Sequence, residues 1–141
     1  MGMRRTGAIA AAVMMIAVIG AAYAAEQERP KRPDVLAVAF HADWCGTCEQ
    51  LEEPVGETAK AVGDKPVLFV KLDLTNEETQ AQAELLAGAL GIDEVWAEHS
   101  NRTGFVLLID RESGEVIDRL TARQSSDEMI ELVDAALARA G

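Results

Sequence analysis

Four apolar runs, separated by stretches with helical spacing, set out the architecture of this 141-residue chain. Asp34 to Ala42 is apolar on both faces, which fits a strand in the middle of a sheet. Beyond it, Leu51, Val55, Thr58, Ala59 and Val62 fall near one face of a helix running from Gly46 to Val62. Pro54 is expected to kink or divide that helix. Gly63-Asp64-Lys65-Pro66 reads as a turn, and Val67 to Leu74 as a second strand. Thr75 and Glu78 make a capping-box pattern for a helix that reaches about Leu90 and stops at Gly91. Ile92 to Arg102 reads as a polar connection carrying Trp96 and His99. A third strand follows at Phe105 to Ile109, then a hairpin loop at Asp110 to Gly114, and a fourth strand at Glu115 to Leu120. Ser125 and Glu128 open a last helix, with Met129, Leu132, Val133, Ala136 and Leu137 on its apolar side. The class is therefore α/β: a central mixed sheet of about four strands with helices for both faces. Its opening strands are expected to be parallel and its closing pair antiparallel.

The first residues follow a different logic. Arg4 and Arg5 precede an uncharged, largely apolar stretch from Ala8 to Ala22, and Ala22-Tyr23-Ala24 offers the small residues that signal peptidase reads. Residues 1–24 are expected to be a signal peptide cleaved before Ala25; the alternative is an uncleaved anchor, since the run approaches the length of a span. Residues 25–33, with Pro30 and Pro33, form a linker. Residues 34–141 suit one domain with one core. The expected location is periplasmic or otherwise extracytoplasmic. Thirteen Lys and Arg against 24 Asp and Glu give a net charge of −11, which becomes −13 once Arg4 and Arg5 are removed. So acidic a chain is a poor partner for nucleic acid or anionic lipid, and a monomer is expected.

The chemistry is concentrated in one place. Trp44-Cys45-Gly46-Thr47-Cys48 holds the only two cysteines. A loop that short has little value as a structural staple and suits a pair that opens and closes during turnover. A strand that delivers Cys45 to a helix N-terminus would aim unpaired N–H groups at its sulfur and favour the thiolate. Half of a zinc site is the rival reading. Zinc normally takes four ligands, and only His41 and His99 could complete the set, so no metal site is expected. His41, four positions before Cys45, could exchange a proton with the thiols or simply pack as a ring.

The element order, with Ala42-Asp43-Trp44-Cys45-Gly46-Thr47-Cys48 after the first strand, resembles the thioredoxin family over roughly Asp34 to Ala140. Within the family it looks like the exported single-domain members and the catalytic domains of periplasmic disulfide reductases. Val70-Lys71-Leu72-Asp73 looks like the family's next strand. The resemblance implies a thioredoxin-like fold, Cys45 as the attacking thiol, Cys48 as the buried resolving thiol and Trp44 as a surface lid. Four departures stand out. Ala39 occupies the position of the family's buried Asp, Glu49 that of a common Lys, and Thr47 that of the usual Pro between the cysteines. Thr103-Gly104 falls where the family places a cis-proline, so Gly104 is expected to be trans in a glycine-tolerated conformation. Without the proline's bulk, the face of the cysteine pair is expected to be open to a second ligand. Trp96 and His99 are candidates for a substrate-facing rim; otherwise Trp96 covers the core and His99 is solvated.

The expected function is thiol–disulfide exchange without a cofactor, the Cys45/Cys48 dithiol reducing disulfides of exported partner proteins, with partners that carry disulfides or dithiols and a membrane or periplasmic electron donor. Glu49, Glu52 and Glu53 near the helix start disfavour a thiolate and so favour a reductant. A metal or metallo-cofactor delivery protein, and a redox-silent adaptor that binds through the Trp96 segment, are the alternatives.

Overall fold

A computed structural model describes residues 32–140. The signal peptide expected at residues 1–24 and most of the linker at 25–33 lie outside the described residues. The chain alternates as expected: β1 (Val35–His41), α1 (Gly46–Ala61), β2 (Val67–Asp73), α2 (Glu77–Leu90), α3 (Asp93–His99), β3 (Phe105–Asp110), β4 (Val116–Leu120) and α4 (Ser126–Arg139). The four strands form one mixed sheet in the order β2-β1-β3-β4. β1 runs parallel to β2, with Val35 opposite Val67 and His41 opposite Asp73. It runs antiparallel to β3, with Phe40 opposite Phe105, and β3 and β4 close as an antiparallel hairpin.

The unbroken apolar run of β1 follows from its place between two strands and two layers of helix. Alternate residues feed opposite cores. Leu36, Val38 and Phe40 join Leu72, Ala83, Ala87, Ile92, Val95 and Leu107 under α2 and α3. Val35 and Ala37 join Leu51, Val62, Val106, Leu120, Met129 and Val133 under α1 and α4. At about 25 cal/mol per Å² of apolar surface, residues such as Phe40 and Leu108, essentially sealed from solvent, each stabilise the fold by about 2 kcal/mol.

Three local expectations need correction. α1 is one helix that passes through Pro54 without dividing; the buried Thr58 hydroxyl donates to the Pro54 carbonyl at 2.8 Å. α2 is capped by Asn76, not Thr75: the Asn76 side chain accepts from the N–H of Glu78 and Thr79, and Thr79 reciprocates. Thr75 is drawn away by a different set of bonds described below. The polar connection after Gly91 is itself mostly helical, as α3. Ile92, Val95, Trp96 and His99 recur at helical spacing, and Ile92, Val95 and His99 are buried. The other ends fall as the sequence suggests: Gly91 caps α2 in the left-handed region at φ 73°, and Ser125 with Glu128 forms a reciprocal capping box on α4.

Candidate active site

The C-terminal ends of β1 and β2 and the start of β3 meet at one pole of the sheet, and both cysteines sit there. After β1 the chain turns through Ala42–Trp44, with the Cys45 N–H donating to the Ala42 carbonyl at 3.0 Å. Cys45 is then the N-cap of α1. Its Sγ accepts the Cys48 N–H at 3.2 Å. A thiolate in this position would be held by a helix N-terminal N–H and by the positive end of the helix dipole, which lowers the cost of its charge. Cys45 is half-buried, whereas Cys48 is 5% exposed. The two are joined as a disulfide. The Cys48 sulfur lies 3.8 Å from the Phe40 carbonyl oxygen, an acceptor for its proton once the bond is reduced.

The turn that presents the cysteines is clamped from β2. Thr75 Oγ1 accepts the Asp43 N–H at 3.0 Å, and the Thr75 carbonyl accepts the Trp44 indole N–H at 3.1 Å. Asp73 orders Thr75 in turn, accepting from its N–H at 2.8 Å and from its hydroxyl. Those bonds, led by the hydroxyl, hold the Asp73 carboxyl below the usual carboxylate range. The Leu74 N–H donates to the His41 carbonyl at 2.7 Å. Trp44 is thus fixed at its polar edge while 67% of its surface remains exposed. Sequence reasoning missed Asp73 and Thr75. The signal was present in Asp73-Leu74-Thr75, where two side chains that bond nearby backbone end a strand.

His41 sits at the end of β1, its Nε2 3.3 Å from Asp43 Oδ1. Thr103 and Gly104 enter β3 from the other side, with the Gly104 N–H donating to the Phe40 carbonyl at 2.9 Å. The peptide bonds of the described residues are all trans, and Gly104 lies at φ +90°, as its glycine-only conformation requires. The openness expected here is not found. A Cβ built on Gly104 would approach Thr47 Cβ to 3.0 Å, Thr47 Cγ2 to 3.1 Å and Cys45 Sγ to 3.5 Å. The Thr47 side chain occupies the space beside Gly104, so two departures from the family pattern, Thr47 and Gly104, complement each other.

Trp96 and His99 do not join this group as a rim. Trp96 is half-buried and its ring stacks on Phe40 with centroids 6.5 Å apart. His99 is 6% exposed, with its ring edge-on to Phe40 and Phe105 at 5.9 and 5.7 Å. Arg102 donates to His99 Nδ1 at 3.0 Å, which requires that nitrogen to be unprotonated. Burial pushes the His99 pKa below the usual imidazole range; Glu98 opposes the shift, and Arg102 and Arg119 reinforce it. Among the described residues, no group of three or more His, Cys, Asp or Glu is arranged to hold a metal ion.

Comparison with known proteins agrees with this geometry. The Thioredoxin family model matches residues 18–88, so the match ends within α2 and leaves β3, with Thr103-Gly104 at its entry, beyond it. No individual curated protein sequence is significantly similar. Among solved structures, MTB DsbF is 23% identical over 74% of this chain and 82% of its own, with a TM-score of 0.50. Chloroplastic thioredoxin z is 22% identical over 76% and 81% of the two chains, also at 0.50. A thioredoxin from Halobacterium salinarum NRC-1 is 22% identical over 74% and 76%, at 0.48. A disulfide carried at the N-cap of the helix after β1 is the working part of a thiol–disulfide oxidoreductase in general. By its matched residues and its fold, this chain belongs to the thioredoxin family.

Proposed function

We propose that the chain reduces disulfides of exported partner proteins, with Cys45 as the attacking thiol and Cys48 as the resolving one. The observation that carries this reading is the asymmetry of the pair: Cys45 is half-buried and bonded to a helix N–H, while Cys48 is buried behind it. The Cys45 thiolate attacks one sulfur of a partner disulfide, the partner's S–S bond breaks, and one partner thiolate leaves. Cys48 then loses its proton and attacks Cys45 Sγ. The mixed disulfide breaks, the second partner thiolate leaves and takes a proton from solvent, and Cys45–Cys48 is restored as a disulfide. An external dithiol must return two electrons before the next turnover.

Reduction is favoured over oxidation because the start of α1 is acidic. Glu49, Glu52 and Glu53 are exposed within its first two turns, and negative charge near a thiolate makes the dithiol form less stable relative to the disulfide. Export rests on the Arg4-Arg5 and Ala8–Ala24 pattern of the sequence. No helix among the described residues is long and apolar enough to cross a membrane.

An insulin-reduction assay with a chemical dithiol as donor tests the activity. The wild type should precipitate the insulin B chain, Cys45→Ser should not, and Cys48→Ser should accumulate a mixed disulfide visible on a non-reducing gel. Faster alkylation of Cys48 than Cys45 in the reduced protein would reverse the assignment.

A further inference from the structure

Behind the disulfide, on the α1 side of the sheet, lies a cavity of about 260 Å³ that reaches Cys48. Small side chains create it: Ala37 and Ala39 on β1, and Gly56 and Ala59 on α1. Ala39 is the register partner of Lys71, so the two side chains leave the sheet on the same face. Besides Cys48 itself, three charged or titratable side chains line it: Glu52 from α1, Lys71 from β2 and His41 from β1. Glu49 and Glu53, the neighbouring acids on α1, do not line it.

Cys48 has a problem that this cavity answers. As resolving thiol it must lose a proton while buried, and among the described residues its sulfur bonds the Phe40 carbonyl, which already accepts from Gly104. A carbonyl cannot take the proton away. Glu52 lies four residues after Cys48, one helical turn along the same face. Helical side chains lean toward the N-terminus and over the preceding turn, which carries the Glu52 carboxylate toward Cys48. His41 is directed instead to Asp43. The cavity is large enough for water, and Glu52, Lys71 and His41 give such water polar partners.

We propose that Glu52 accepts the Cys48 proton, relayed by water in this cavity, as Cys48 attacks the mixed disulfide. The proton passes from Cys48 Sγ through water to Glu52. The Cys48 sulfur bonds to Cys45 Sγ, the bond from Cys45 to the partner sulfur breaks, and the partner leaves as a thiolate. Lys71 on the opposite wall supplies a compensating positive charge, and Glu52 returns its proton to solvent. The proposal rests on the disulfide-reductase reading given above and concerns only its second step.

The two steps separate in a stopped-flow reaction of fully reduced protein with dithiobis(nitrobenzoate). Attack by Cys45 releases a first coloured thiolate, and resolution by Cys48 releases the second. Glu52→Gln should leave the first phase within about twofold and slow the second roughly ten- to hundredfold. Glu52→Asp, which keeps a carboxylate, should retain most of the second-phase rate, and Glu57→Gln, which removes an exposed acid of α1 outside the cavity lining, should leave both phases as in the wild type. An unchanged second phase in Glu52→Gln, or equal slowing in Glu57→Gln, overturns the proposal. A wild-type protein that never releases the second equivalent would instead overturn the disulfide-reductase reading itself.

Discussion

At the scale of single residues, Gly104 and Thr47 form a matched pair. Gly104 needs φ +90°, and the space a side chain would take is already filled by Thr47. Gly104→Ala should therefore destabilise the fold by about 1–3 kcal/mol, since both backbone strain and contact act against it. Combining it with Thr47→Gly should recover only the contact share, measured as the urea midpoint of the single and double variants. Gly104→Pro is incompatible with that φ and should prevent stable folding. His99 provides a second residue-level test. Its folded pKa lies below its unfolded value near 6.5 because burial resists the charged form. The unfolded chain thus binds the proton first as pH falls. The His99 contribution is complete above the unfolded pKa and is lost as pH drops from there toward the folded pKa. Wild-type stability should fall as the pH drops through about 6.5, the unfolded value, toward the folded pKa, and His99→Phe should flatten that slope. Neither residue was fully legible beforehand. The glycine at position 104 could be read as a departure, but its packing against Thr47 depends on two segments distant in sequence. A histidine in a polar stretch reads as solvated until Phe40 and Phe105 are brought beside it.

The strands and the long helices were legible because their signals are local and repeated. Continuous apolar runs marked β1 and β3, and Gly91 and Ser125 punctuated α2 and α4 by their own backbone chemistry. α3 was not legible. It has seven residues and no side-chain bond at its N-cap, and its helical spacing is completed by His99, which composition counts as polar. The α2 cap was misread by one position because Thr75 and Asn76 are both good caps in isolation. Tertiary structure decides between them: Thr75 is engaged by Asp73 and by the cysteine turn. That division of labour makes the segment after β2 a support for the active pole. Thr75→Val keeps the shape but removes the oxygen that accepts the Asp43 N–H. We expect a loss of about 1 kcal/mol in stability. The Trp44 bond to the Thr75 carbonyl survives the change, so tryptophan fluorescence should shift little while Cys45 alkylation slows. A variant with unaltered thiol reactivity would show that the clamp stabilises the turn without positioning the sulfur.

Across the whole molecule, the sheet order places the disulfide where two parallel strands end and an antiparallel strand begins, with a helix N-terminus aimed into the gap. General rules for parallel strands lead to that pole without further information. What they omit is the sign of its field. The chain carries −11 overall, and Asp43, Glu49, Glu52 and Glu53 are all exposed around or just beyond the cysteines. A substrate disulfide must approach through this negative potential, so its own charge should govern the encounter. At about 10 mM ionic strength, where screening extends to roughly 30 Å, reduced protein should react with cationic cystamine on the order of tenfold faster than with anionic glutathione disulfide, after correction for their intrinsic reactivities with a neutral dithiol. At about 1 M salt the screening length falls to roughly 3 Å and the preference should largely disappear. Replacing Glu49 and Glu53 together by Gln should reduce the low-salt preference while leaving the high-salt rates nearly unchanged. If the preference persists at high salt, selection arises from direct contact at Trp44 and Thr103, and long-range charge has no part in it.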